Sequence, residues 1–191
     1  MQAYKGFTKD LRATLGKGRS YKPNEVVIEE SSKCARIGLH CAENPLDCFR
    51  YYPLNEENVF WLVEAGGSLD EDEFDSRIAC TELTLVKELS TKELAGHAMM
   101  YIISHPLREW RRNNISCVVA PDEARGERWK IAIARGENPR VKGKTGAVLG
   151  MIKEVDGDII SARLIEIDGS TYRPNCWYTI GENSEIREVA V

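Results

Sequence analysis

The sequence predicts an α+β domain over residues 1–110, followed by an all-β domain over 115–191 that ends as an antiparallel meander. Three patterns carry this prediction. A Ser90-x-x-Glu93 capping box opens a stripe of helical period, Leu94, Ala98 and Ile102, flanked by Ala95, Met99 and Ile103. Asp156-Gly157 and Asp168-Gly169 each separate extended runs, and Asp-Gly accepts the positive φ values of a type I′ hairpin turn. Between these regions the basic stretch Leu107–Asn114 ends in a turn-prone Asn pair and marks the boundary.

The elements follow in order. Residues 2–7 form a first strand, and 10–20 a Gly- and Lys-rich loop. That loop contains Gly16-Lys17-Gly18 but lacks the spacing of a phosphate-binding loop, so it reads as a turn. Tyr21–Glu29, with Val26-Val27-Ile28, is extended. A strand then runs into His40, after which Asn44 caps and Pro45 opens a short helix that closes on Tyr51-Tyr52. Asn58–Ala65 is a strand ended by Gly66-Gly67. The acidic stretch 68–76 is a solvated loop, since it lacks the central glycine of a Ca²⁺ loop. Arg77–Glu88 alternates as another strand, and the helix after Ser90 ends near His105-Pro106. His97 and His105 flank that helix's stripe and its end, where a solvated or structural role is expected. Beyond Ile115, Trp129–Ala134 alternates, glycines punctuate short strands, and Cys176–Ile180 and Glu185–Val189 complete the meander.

Composition bounds the function. A chain of 191 residues holds one full core or two small ones. With 42% apolar and 29% charged residues it falls in the ordinary soluble class. A net charge of −4 argues against a general nucleic-acid binder. Lys17, Arg19, Arg108, Arg111 and Arg112, the last three around Trp110, leave a local basic strip as an adaptor reading. No apolar run approaches the roughly 18–20 residues that span a bilayer, and no secretory pattern follows Met1, so a cytoplasmic protein with no membrane partner is expected. Cys34, Cys41, Cys48, Cys80, Cys117 and Cys176 form no CxxC pair, so they are read as reduced thiols that pack as small hydrophobes. No metal or cofactor is called for.

Two resemblances add to this. Ala3-Tyr-Lys-Gly-Phe7, Gly38-Leu-His-Cys-Ala-Glu-Asn-Pro-Leu-Asp47 and Tyr51-Tyr-Pro53, with Ile165–Gly169 and Pro174–Thr179 behind them, resemble an uncharacterised family of phage and prophage proteins. No activity comes with that family, so the resemblance implies an accessory or interaction protein with an unknown protein partner. Its members carry small-residue repeats similar to β-solenoid turns. Here Ile131–Gly136 and Arg140–Gly143 look like one worn pair of rungs, a vestigial β-solenoid-like segment. Rungs need stacking neighbours, so these are expected to pack on the terminal meander or against another subunit, and the second option gives a homo-oligomer through the C-terminal β domain.

The stretch Gly38–Ala42, with Asp47, Tyr51 and Phe60–Glu64, is also similar to ADP-ribosyltransferase-like domains. That likeness implies a nicotinamide pocket, with NAD as the alternative ligand. Lys5 stands where those domains carry an Arg or His that anchors the dinucleotide, and lysine lacks the planar fork. Their later catalytic glutamate motif has no counterpart. His40 and Tyr51 are therefore the candidate catalytic residues, and Lys5, Tyr4 and Glu64 the candidate cofactor contacts. Strand alternation sends His40 and Cys41 to opposite faces, so a functional His40 needs a partner such as Tyr4, Lys5, Tyr51 or Glu64. A core histidine bonded to backbone or tyrosine is the competing reading.

Overall fold

The computed structural model describes residues 1–14, 18–72, 75–127 and 130–189, so Gly16, Lys17, Glu73 and Trp129 lie outside the described residues. The chain divides into two compact units, Met1–Ser90 and Thr91–Val191. Strand residues are 53% of those described and helical residues 11%, which overturns the α+β expectation for the first domain. The helix itself forms at α1, Thr91–Ser104, but it belongs to the second unit. In the first unit the described residues hold one short 3-10 helix, Pro45–Arg50.

The first unit is a small closed barrel. Its strands are β1 (Gln2–Thr8), β2 (Val26–Ile28), β3 (Leu39–Ala42), β4 (Asn58–Glu71) and β5 (Arg77–Leu89). They pair antiparallel in the order β2-β5-β3-β1-β4, and β4 also pairs with β5, so the sheet meets itself. Alternation then sorts side chains to inside and outside. The interior holds Ala3 and Phe7 of β1, Leu39 and Cys41 of β3, Trp61, Val63 and Ala65 of β4, and Ile78, Cys80, Leu83 and Leu85 of β5. Gly66-Gly67 does not end β4. Gly67, at φ 69°, forms a bulge and the strand continues through 68–71, so the start of the expected acidic loop is paired with β5.

Outside the barrel, the 3-10 helix packs on β1 and β4. Phe49 meets Phe60 edge to face at 5.2 Å, and Tyr52 lies against Gly6, where an added Cβ would approach its ring to 2.6 Å. Asn44 caps this helix as expected: its side chain accepts from the Leu46 N–H, with Pro45 in the first turn.

The second unit is a bent seven-stranded sheet with α1 on one face. Its strands are β6 (Arg112–Asn113), β7 (Cys117–Gly126), β8 (Ile131–Gly143), β9 (Val148–Val155), β10 (Asp158–Glu166), β11 (Trp177–Ile180) and β12 (Ile186–Val189). It is not an antiparallel meander, because β7 pairs with β8 and β8 with β9 in parallel. The supposed rungs Ile131–Gly136 and Arg140–Gly143 do not stack on each other. They are successive arms of β8, and each lies beside the matching arm of β7. The bend in β7 falls at Asp122, which takes φ 58° at a register shift.

The first arm of β8, 131–135, and the first five residues of β9, 148–152, are buried on both faces, which is why they read as near-continuous small and apolar runs. Ala132, Ala134, Leu149 and Met151 face Val141, Tyr178 and Ile180 across the bend. On the other face Gly150 leaves room for Ile133 and for Met99 of α1. Asp156-Gly157 makes the expected hairpin between β9 and β10, at φ 54° and 89°. Asp168-Gly169 does not: Asp168 instead accepts backbone N–H bonds from Ser170 and Tyr172, and β11 pairs with β8 and β12. Among the described residues no helix is long and apolar enough to cross a membrane.

Candidate functional site

The His40 segment is positioned by β3, which the barrel holds between β1 and β5. Gly38, at φ 99°, brings the chain into β3 so close to Ser31, Ser32 and the Cys80 carbonyl that a Cβ would fall within 3.0–3.1 Å of them. His40 follows with its side chain on the outer face, half-buried, opposite Ala79.

Its Nε2 accepts a hydrogen bond from the Ala35 N–H at 3.1 Å. Ala35 sits at φ 61° in the Lys33–Ile37 turn, so the imidazole pins a strained turn onto the sheet. An accepting Nε2 fixes the neutral tautomer with its proton on Nδ1. Burial lowers the His40 pKa, the Lys5 and Arg77 charges push the same way, and a backbone hydrogen bond at Gly38 opposes them.

Lys5 does not face the His40 ring. It points into the barrel between Ala3 and Phe7 and is 7% exposed. Its Nζ donates to the His40 carbonyl at 2.6 Å and lies over the rings of Phe7 at 5.4 Å and Tyr21 at 5.7 Å. Burial pulls its pKa down, while the Cys41, Cys48 and Cys80 thiols oppose that. The amine therefore ties β1 to β3 from inside.

Tyr4, on the outer face opposite Ala42, accepts at its carbonyl from the Cys48 thiol at 3.4 Å, and burial raises its phenol pKa. Glu64 is exposed, opposite Gln2. Of the five predicted residues, His40, Tyr51, Tyr4 and Glu64 lie outside the barrel wall and Lys5 lies within it.

Tyr51 enters a network that the sequence reading missed. Arg77 of β5 lies opposite Ala42, on the same outer face as His40. Its guanidinium donates to the Tyr51 hydroxyl and to Asp72 at 2.5 Å, faces Asp75 at 3.6 Å, and sits 5.7 Å from the Tyr51 ring centre. Asp72 also accepts from the Cys34 thiol at 3.7 Å, and Asp70 accepts from the Cys34 N–H at 2.6 Å. Nearby, Asp47 accepts from the Ser76 hydroxyl at 2.8 Å, and that hydroxyl accepts from the Asn44 N–H. The signal in the sequence was the arginine directly behind the acidic run. The carboxylates there are shared among Arg77, Lys33, the Cys34 thiol, the Ser76 hydroxyl and backbone N–H groups. Among the described residues no group of three or more His, Cys, Asp or Glu is placed to hold a metal.

The basic strip is spread over local contacts. Arg108 donates to the Tyr101 hydroxyl, Arg112 to the carbonyls of Glu109 and Arg111, and Arg19 to Glu29. Trp110 carries Arg111 and the buried Arg135 on its ring, the latter ion-paired with Glu154 at 2.5 Å.

Fold and site together define a mostly β protein of two units, whose His-, Arg- and Asp-rich segment is tied by hydrogen bonds to backbone and among its own side chains. Residues 1–97 match the family described as a domain of unknown function (DUF7666), and the chain belongs to that family. The match covers the whole barrel and the opening turns of α1. No curated protein and no solved structure matches the chain.

Proposed function

We propose that the chain is a non-catalytic accessory or interaction protein of the kind that phages and prophages encode. One observation carries this reading: the two groups best suited to chemistry are both committed to backbone, His40 Nε2 to the Ala35 N–H and Lys5 Nζ to the His40 carbonyl. A general base needs its lone pair free toward substrate, and a dinucleotide anchor needs its cation outside the wall. An ADP-ribosyltransferase-like activity would have to work without His40 or Lys5, from residues such as Tyr51, Tyr4, Glu64 and Arg77 on the outer face.

Titration with NAD⁺ separates the readings. The proposal expects no rise in melting temperature at millimolar NAD⁺ and no nicotinamide release. Stabilisation that disappears in Tyr51→Phe, since a ligand bound to the native state must stabilise it, would restore the enzyme reading.

A further inference from the structure

The outward face of the second arm of the bent sheet carries a cluster that the His40 segment does not use. Pairing sets Arg125 of β7 beside Lys142 of β8, and Lys142 beside Trp177 of β11. Directly opposed residues point to the same side. That side faces away from the core, because Ala124, Val141 and Tyr178 take the inner one.

Three cations converge there on one ring. The Arg125 guanidinium lies 5.1 Å from the Trp177 ring centre, that of Arg140 5.6 Å, and the Lys142 ammonium 5.8 Å. Arg140 is ion-paired with Glu123, whereas among the described residues no carboxylate pairs with Arg125 or Lys142. The indole beneath is 8% exposed, covered by the charges above it. The ring's negative face offsets part of their mutual repulsion, and a phosphate backbone would offset more.

We propose that this face binds single-stranded nucleic acid. Phosphates lie against Arg125, Lys142 and Arg140, and a base stacks on Trp177 as the cations turn outward to meet them. A sheet face that combines cations with an aromatic platform suits a single strand, because every base has a stacking face. An acidic peptide would use the charges and leave the ring without a role. The net charge of −4 confines the attraction to this patch, so binding is weak and sensitive to salt. The proposal rests on the interaction reading above and names its partner.

The test uses the full chain and a fluorescein-labelled oligo-dT of about 15–20 nucleotides, followed by anisotropy. Two to three phosphate contacts imply a log–log salt slope of about −1.4 to −2, so affinity falls about tenfold between 50 and 200 mM KCl. Arg125→Glu with Lys142→Glu weakens binding at least tenfold while circular dichroism stays native, and the exposed Lys9→Glu in the first unit leaves it unchanged. Should the double reversal unfold, Arg125→Gln with Lys142→Gln replaces it, with a severalfold loss expected. No binding at 50 mM, a flat salt response, binding indifferent to the substitutions, or polyglutamate of equal charge binding as tightly would each overturn the proposal. NAD⁺ turnover would instead sink the interaction reading, and the two failures are told apart because the oligonucleotide measurement does not involve the His40 segment.

Discussion

At the scale of single residues, the first unit turns His40 and Lys5 into structural groups by giving each a backbone partner. His40 is held neutral, with a folded pKa below its unfolded value of about 6.5. A depressed histidine contributes stability that is present above the unfolded pKa and lost as pH falls through the folded one. Urea unfolding should therefore show native stability declining below about pH 6.5 relative to His40→Gln, whose own curve is flatter there; parallel curves would refute the neutral, accepting imidazole. Lys5 has the same sign one window higher. Its folded pKa is depressed, so stability rises with pH toward about 10.5, where the unfolded lysine also loses its proton. Lys5→Met keeps the volume and removes the titration, so the native protein should gain on this variant as pH rises toward about 10.5. A constant difference would mean that the amine reaches water. The thiols offer a third check. Burial lifts Cys48 to about 12, and Cys41 also lies well above the ordinary thiol range, whereas Cys34 and Cys176 are half-exposed. A thiol reagent should label Cys34 and Cys176 first and reach Cys41 and Cys48 only on unfolding.

At the scale of elements, short-range signals were legible and pairing was not. The Ser90-x-x-Glu93 pattern ahead of α1, Asn44-Pro45 before the 3-10 helix and Asp156-Gly157 between β9 and β10 each span two to four residues, so the signal is complete in the local sequence, and an element forms at each. Gly66-Gly67 misled because a glycine pair suits a bulge as well as a strand end, and the choice between them lies with β5 on the other side. Asp168-Gly169 misled for a related reason: its carboxylate bonds to the following N–H groups, which close a loop without needing a partner strand. Arg77 reads in sequence as the first residue of a strand, and although its partners Asp72 and Asp75 lie within five residues of it, only the fold turns them toward it. Docking of the 3-10 helix depends on Gly6, which has no Cβ where Tyr52 packs. Gly6→Ala should cost about 1–3 kcal/mol, the range for overpacking a filled site. Amide hydrogen exchange should also report lost protection at the Thr14 N–H, which donates to the Tyr52 hydroxyl at 2.9 Å. An unchanged melting temperature would show that the helix shifts freely.

At the scale of the whole molecule, the α+β expectation fails because the helix that follows the first unit in chain order packs in the second. The amphipathic stripe of α1 is real, but a stripe names no partner, and Leu94, Ala98 and Ile102 are buried in the second unit. Barrel closure was equally invisible, since it depends on β4 having both edges occupied, by β1 and by β5. Each unit consequently contains its own core, Leu83 and Leu85 with Phe7 in the first, Ala134, Leu149 and Met151 in the second. Independent cores make a clear prediction about where damage is felt. Leu83→Ala and Ile133→Ala each remove a fully buried side chain and should each cost about 2–5 kcal/mol. Amide hydrogen exchange read strand by strand should find the loss confined: Leu83→Ala speeds exchange in β1, β3 and β5, and Ile133→Ala in β8 and β9. The reason is that protection of an amide follows the opening of the core that covers it. Either substitution lowering protection evenly across all of these strands would mean that one cooperative unit spans residues 1–191, and the two-unit description would fail.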